Sequence, residues 1–221
     1  FRVDREDGPP ATGPGGSVTH LATTANGTAF AIFETDPQDG PGVALRTSEG
    51  RWSTVLSASV ERIDGADVEA LVPNLGRPLF LLKGESSRIA EYDESARSLR
   101  FATTTGPAIK GAVVDVAATT GRTTSGRAIV ATNAPKARVY LLESKANERE
   151  ISIKEFSRLS LEGGHEASSI AIASSGTAVL VCKDGSAWEA DANNVEKPWK
   201  QIRGGDQRLV LDGIQLAGLA T

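Results

Sequence analysis

The chain has 221 residues, of which 39% are hydrophobic and 24% charged, and its formal net charge is −4. This balance is typical of a folded globular protein and argues against disorder. The 24 Lys and Arg residues are scattered, which excludes a dedicated nucleic-acid surface because such a surface needs clustered positive charge. No apolar run approaches the roughly 18 residues of a membrane-spanning helix, so we expect neither nucleic acid nor a membrane as a partner.

The residues that could bind a metal are few. Cys182 is the single cysteine, and the histidines are His20 and His165. Cys182 ends an apolar run, which predicts a buried small hydrophobe rather than a reactive thiol. These residues are too few for a usual zinc ligand set, and we predict no metal and no cofactor. The chain has no Met and begins with Phe1, so we expect a processed product or part of a longer polypeptide.

A glycine followed by Thr or Arg and an aliphatic run recurs along the chain. It lies at Gly27, Gly76, Gly126 and Gly176, so the spacings are 49, 50 and 50 residues. Four matches in one register indicate an internal repeat. We expect Gly76 and Gly126 to lie in turns at positive φ, a conformation that glycine adopts readily.

Each repeat predicts four short strands. An apolar strand precedes the glycine, an aliphatic strand follows it, and a hairpin then leads to an alternating strand and a fourth strand with an aromatic residue. The aromatic residues are Trp52, Phe101, Phe156 and Trp199. The repeats cover roughly residues 17–59, 66–106, 112–158 and 167–203, with an N-terminal strand at 1–6 and a partial unit at 207–221. This pattern predicts an all-β fold in one domain, 1–221.

Four-stranded units of this length resemble the blades of a β-propeller. The stretch "ATNAPKARVYLL" at 131–142 is similar to a phrase of bacterial propeller repeats, whereas the "GH…WD" signature of WD40 repeats is missing. The resemblance implies a β-propeller or a propeller arc with four four-stranded blades and partial strands at both termini. Either the termini pair and close a small ring, or the remaining blades of a larger propeller lie elsewhere. We favour the second alternative, because a thin closing blade leaves exposed edges.

In a propeller the first strand of each blade lines the central channel. The polar residues on these strands are His20, Glu69 and Asp115, with Gln215 in the partial unit. Such a ring could bind a cation or polarise a substrate carbonyl. The alternative, which we favour, is that these side chains are hydrogen-bonded to neighbouring blades or to channel water.

Two other places carry candidate binding residues. His165 and Glu166 lie together in a Gly-rich loop, where a His beside a carboxylate can act as a general base. Adjacent residues of a strand point to opposite sides, however, so an exposed loop is favoured. Trp188 lies on a third strand and breaks the aromatic pattern, which makes it a candidate binding residue. The oxygen-rich stretches 35–42 and 191–196 lack calcium-loop spacing and are predicted to be turns.

The sequence favours a non-enzymatic interaction scaffold, within a larger polypeptide or assembly, that presents loops to a protein partner. One alternative is a channel-type hydrolase or lyase that uses His20, Glu69 and Asp115. A carbohydrate-binding lectin is the third candidate, because propellers of that type stack sugars on aromatic side chains. The fold by itself does not decide among these functions.

Overall fold

The structure, a computed structural model, describes residues 17–23, 29–34, 42–46, 52–54, 68–72, 79–82, 84, 86–93, 98–119, 126–133, 136–144, 150–156 and 164–202. Within these ranges every regular element is a β-strand, which confirms the all-β prediction. None of the described residues belongs to a helix that is long and apolar enough to cross a membrane.

The described strands form four sheets, built from strands that follow one another in the chain except that β9 (Thr103–Thr105) belongs to sheet 3 and β10 (Ile109–Lys110) to sheet 2. Sheet 1 contains β1 (Ser17–Thr23), β2 (Ala29–Glu34), β3 (Gly42–Arg46) and β4 (Trp52–Thr54). Sheet 2 contains β5 (Val68–Val72), β6 (Leu79–Leu82), β7 (Ser86–Asp93), β8 (Ser98–Phe101) and β10 (Ile109–Lys110). Sheet 3 contains β11 (Ala112–Ala118), β12 (Gly126–Asn133), β13 (Ala137–Ser144), β14 (Glu150–Glu155) and β9 (Thr103–Thr105). Sheet 4 contains β15 (Ala167–Ile172), β16 (Thr177–Cys182), β17 (Ala187–Asp191) and β18 (Lys200–Ile202).

In sheets 2 and 3 the aliphatic runs after the repeat glycines form strands that are buried on both faces, β6 and β12. In β12, Ile129 and Ala131 pack into a cluster with sheet 4. Ala128 and Val130, which point to the other face, pack into a cluster with sheet 2. A strand between two sheets needs apolar residues at every position rather than at alternate ones, which explains the unbroken aliphatic sequence.

Aromatic side chains join neighbouring sheets along the stack. The ring of Phe30 in sheet 1 lies 5.6 Å from the rings of Phe80 and Tyr92 in sheet 2, edge to face. Phe156, at the end of sheet 3, lies 5.3 Å from Trp199 of sheet 4, and both are buried. Phe156 and Trp199 therefore pack between sheets 3 and 4.

Residues 102–110, the crossing segment, leave sheet 2 and return to it. Within this segment β9 runs parallel to β14 and extends sheet 3. β10 then pairs with one end of β7, whose other end pairs with β8. The sequence predicts four strands in each unit, whereas sheets 2 and 3 have five each because the crossing segment adds a short strand to both.

Two features fix the crossing segment against sheet 3. Gly106 has φ 101°, and a Cβ atom there would overlap the carbonyl oxygen of Ile153 and lie 3.0 Å from its carbonyl carbon. At Lys110 the backbone N–H donates to the Tyr140 hydroxyl at 3.1 Å, and the carbonyl accepts from the Thr132 hydroxyl at 2.7 Å. The glycine allows the backbones to approach closely, and the hydrogen bonds hold them there.

The repeat glycines do not all occupy the same conformation. Gly176 lies in the turn before β16, whereas Gly126 is the first residue of β12 and pairs with Ser144. Gly126 is thus a strand residue rather than the predicted turn residue. Gly27, Gly76 and the predicted terminal strands at 1–6 and 207–221 lie outside the described residues.

Candidate functional site

The first strands of the four sheets, β1, β5, β11 and β15, lie next to one another. Each contains a register shift near its start, where it has one residue more than the strand it pairs with. The residue three positions before the last paired residue is equivalent in the four strands: it is His20 in β1, Glu69 in β5, Asp115 in β11 and Ser169 in β15. Such bulges re-aim side chains, and here the described carboxylates reach the neighbouring sheet.

Glu69 and Asp115 both accept hydrogen bonds from the next sheet along the chain. The Oε1 atom of Glu69 accepts from the backbone N–H of Val113 in sheet 3 at 2.9 Å. The Oδ2 atom of Asp115 accepts from the hydroxyl of Ser169 and the N–H of Ile170 in sheet 4, both at 2.8 Å. Each carboxylate is therefore a link between two first strands.

The other members of the predicted ring are only partly described. His20 lies on β1 and pairs with Ile32, but its side chain lies outside the described part of the structure, as does the whole of Gln215. Of the candidate channel residues, Glu69 and Asp115 are thus placed on one row of strands, each bonded to a different neighbour.

A second group of polar residues surrounds the turn between β16 and β17. This group, the turn cluster, consists of His165, Cys182, Asp184, Ser186 and Trp188. The turn closes by a bond from the Gly185 N–H to the Cys182 carbonyl at 3.0 Å and one from the Cys182 N–H to the Ser186 carbonyl at 2.9 Å. Gly185 has φ 81°, as a three-residue hairpin loop with a glycine bulge requires.

Asp184 is the centre of the hydrogen bonds in the turn cluster. Its Oδ1 atom accepts from the Ser186 hydroxyl at 2.7 Å and from the Ser186 N–H at 2.9 Å, while its Oδ2 atom contacts Nδ1 of His165. The hydrogen bonds from Ser186, and then the nearby imidazole, hold the pKa of Asp184 below its ordinary value. The carboxylate is therefore ionised and fixed in orientation.

His165 and Trp188 form the inner side of the turn cluster. Their rings meet edge to face with centroids 5.7 Å apart. Trp188 is 8% exposed, and its Nε1–H donates to the Ser186 hydroxyl at 3.0 Å. The carbonyl of His165 accepts from the N–H of Ala137 in sheet 3 at 3.0 Å. The structure thus brings the predicted residues His165 and Trp188 together, with Trp188 as a buried support.

Cys182 is the most deeply buried residue of the turn cluster. It is 2% exposed, and burial raises the pKa of its thiol above the ordinary value, while a hydrogen bond with Ser186 works in the opposite direction. One donor atom from each of His165, Cys182 and Asp184 lies within 4.8 Å of the other two. An imidazole, a thiol and a carboxylate therefore converge on one point.

Glu166, the third predicted binding residue, points away from the turn cluster. Its carboxylate pairs with the ammonium group of Lys183 at 2.6 Å, with the two side chains 49% and 62% exposed. The carbonyl of Glu166 also accepts from the Lys183 N–H at 2.9 Å. Glu166 and Lys183 thus form an exposed pair on a fixed turn.

The sequence indicates only part of the turn cluster. It marks His165 and Trp188 as candidate binding residues and predicts Cys182 to be a buried hydrophobe, whereas Asp184 and Ser186 carry no signal beyond that of a hairpin. The stretch "KDGSA" at 183–187 is a hairpin signal, so the proximity of Cys182 to Asp184 could have been found from it. Nothing in the sequence indicates that the loop containing His165 folds onto this turn.

No protein-family model and no curated protein sequence matches the chain. Among solved structures it is similar to YCF48 from Cyanidioschyzon merolae, with 10% sequence identity, a TM-score of 0.50, and coverage of 83% of this chain and 58% of that one. It also aligns with YCF48 bound to D1 peptide, at 11% identity and a TM-score of 0.49, covering 85% of this chain and 53% of that one. A third match is PorZ of Porphyromonas gingivalis, at 16% identity and a TM-score of 0.47, covering 84% of this chain and 22% of that one.

These similarities concern the fold. The chain spans a little over half the length of the YCF48 structures. YCF48 and PorZ are β-propeller-type proteins. The likeness to YCF48 from Cyanidioschyzon merolae, together with the stacked antiparallel sheets, confirms the propeller-like fold that the repeat predicted.

Proposed function

We propose that residues 1–221 form one propeller-like domain that serves as a non-enzymatic scaffold for a protein partner. The observation that carries this proposal is the role of the carboxylates of Glu69 and Asp115 as hydrogen-bond acceptors between sheets. Both accept hydrogen bonds from neighbouring sheets. Groups bonded in this way are held in place by the fold, which supports a structural role for them and a rigid platform for binding.

The partner surface proposed for this scaffold lies at the turn between β16 and β17. There the side chains of Glu166 and Lys183 are exposed, while the backbone beneath them is fixed by hydrogen bonds to sheets 3 and 4. A surface that is already ordered loses little conformational entropy on binding. His165 and Trp188 support this turn from the inside.

The two alternative functions find less support in the geometry. A channel-type hydrolase or lyase needs Glu69 or Asp115 to act on a substrate, and both are engaged by backbone N–H groups. A lectin that stacks a sugar on Trp188 needs an exposed ring face, and this residue is 8% exposed. The interaction scaffold requires neither group to be free.

The proposal is tested with the full chain and two matched double variants. Glu166→Ala/Lys183→Ala alters the proposed surface, and Glu196→Ala/Lys197→Ala removes the same residue types from the turn between β17 and β18. Because successive hairpins of an antiparallel sheet lie at opposite ends, the second variant is a control for the first. Each tagged protein is expressed in the organism of origin, its thermal melt is recorded, and its crosslinked partners are identified.

We expect one partner to crosslink with the wild type and the control but to be lost from Glu166→Ala/Lys183→Ala at an unchanged melting temperature. A partner retained equally by all three proteins would contradict the proposed surface. An activity of the purified chain that Glu69→Gln abolishes without lowering its melting temperature would instead support the enzyme alternative.

A further inference from the structure

The three potential metal ligands of the turn cluster are brought together by the fold rather than by proximity in the sequence. Cys182 ends β16, Asp184 lies in the turn that follows, and His165 precedes β15. The donor atoms of these residues all lie within 4.8 Å of one another. Since His165 is fixed to sheet 3 through Ala137, the arrangement does not depend on a mobile loop.

We propose that His165, Cys182 and Asp184 bind a divalent transition-metal ion of the zinc type. The donor set is one imidazole nitrogen, one sulfur and one carboxylate oxygen. Calcium and magnesium prefer oxygen ligands alone, whereas thiolate and imidazole together favour zinc and its neighbours in the first transition row. The proposal concerns this site alone and does not depend on the interaction role proposed above.

The distances allow such an ion after a small rearrangement of the side chains. Zinc–ligand bonds of about 2.0–2.3 Å imply donor atoms about 3.3–3.8 Å apart in a tetrahedral site. Because the donor atoms lie within 4.8 Å of one another, no pair has to shorten by more than about 1.5 Å. Nδ1 of His165 and Oδ2 of Asp184 are in direct contact, so these two atoms must move apart to admit the ion. Asp184 is 47% exposed and His165 19%, so small shifts of both side chains at the surface can place their donor atoms around an ion bound to the buried sulfur.

Ser186 and Trp188 orient the proposed ligands Asp184 and His165. Ser186 donates twice to Oδ1 of Asp184, which leaves Oδ2 directed at His165. The Trp188 ring packs against His165 and limits its rotation. Residues that orient metal ligands in this manner commonly contribute about 10–100-fold in affinity.

The charges balance when the ion is bound. A dication with one thiolate and one carboxylate forms a neutral group, which lowers the cost of burial at Cys182. Binding releases the thiol proton to solvent. The proton that Nδ1 of His165 shares with Asp184 moves to Nε2, so that the Nδ1 lone pair binds the ion. Because the thiol must lose its proton, affinity falls as the pH is lowered.

The test is a Co²⁺ titration of the purified full chain, followed by absorption spectroscopy. We expect one Co²⁺ per chain, a thiolate-to-cobalt charge-transfer band in the near ultraviolet, and loss of that band when Zn²⁺ is added. Cys182→Ser should bind without the band, and Asp184→Asn should bind at least about tenfold more weakly. Glu166→Gln, next to His165 but directed at Lys183, should behave as the wild type.

The wild-type spectrum decides the matter even where a variant fails to fold. Absence of the charge-transfer band at saturating Co²⁺ would overturn the proposal, and so would a band that persists in Cys182→Ser. As a second measurement, Zn²⁺ should raise the melting temperature of the wild type but not that of His165→Gln. An equal rise in both proteins would show that the ion binds elsewhere.

Discussion

Gly106 should be among the least replaceable residues of the described chain. It has φ 101°, in the left-handed region that favours glycine, and a Cβ atom there would overlap the backbone of Ile153 in β14. A backbone atom, unlike the end of a flexible side chain, cannot move aside without moving its strand. We therefore expect Gly106→Ala to separate β9 from β14.

The expected decrease in the free energy of unfolding of Gly106→Ala has two parts. The left-handed conformation costs a non-glycine residue about 1–2 kcal/mol. Separating the three residue pairs of β9 and β14 removes backbone hydrogen bonds that contribute about 0.5–1.5 kcal/mol each. With one hydrogen bond per pair the sum is about 2.5–6.5 kcal/mol, which lowers the melting temperature of a chain of this size by about 5–26 °C.

The assay is thermal and urea unfolding of Gly106→Ala beside two other glycine variants. A Cβ atom on Gly185 meets no atom within 4 Å, although φ is 81°. Gly185→Ala therefore measures the cost of the left-handed backbone conformation alone, which we expect to be about 1–2 kcal/mol. A Cβ atom on Gly164 also meets nothing within 4 Å, and Gly164→Ala controls for the substitution itself. If Gly106→Ala were no less stable than Gly185→Ala, the account of the close approach to Ile153 would be refuted.

Two further changes test the hydrogen bonds and the buried thiol. Asp115→Asn leaves one acceptor oxygen where the structure uses two. We therefore expect its free energy of unfolding, measured with urea, to be lower by about 1–3 kcal/mol. A decrease no larger than that of Glu166→Gln, an exposed control, would argue against the hydrogen bond to Ile170. Burial raises the folded pKa of Cys182, so its contribution is present below the ordinary thiol value of about 8.5 and is lost as pH rises toward the folded value. The stability difference between wild type and Cys182→Ala should therefore shrink between about pH 7 and about pH 10, and a constant difference would contradict the burial effect.

The strands that the sequence predicts best are those with the simplest physical requirement. A strand between two sheets must be apolar throughout, and the runs 79–82 and 128–131 show this pattern directly. The repeat spacing then groups such strands into units, because the sheet formed by one unit packs against the sheet formed by the next unit. The polar residues Glu69 and Asp115 also stand out against this background, and bonding to neighbouring sheets was one of the two interpretations that their positions allowed.

The features that the sequence did not predict depend on contacts between distant residues. Thr103–Thr105 form β9 although they carry no apolar pattern, because their pairing depends on the bend at Gly106 and on the free edge of β14. The turn cluster depends on His165 meeting a turn almost twenty residues later in the chain. Hydrophobic periodicity reports burial, and it carries no information about such pairings.

The crossing segment makes the repeat of the sequence different from the unit of the structure. Residues 102–110 belong to the second repeat and its linker, yet they supply one strand to sheet 2 and one to sheet 3. A cut directly after residue 106, where the second repeat ends, would separate β9 from sheet 3 and β10 from sheet 2 and leave both sheets incomplete. Duplication, deletion or exchange of a single repeat, a common route by which repeat proteins change length, is therefore constrained at this boundary, where sheets 2 and 3 would have to be inherited as a pair.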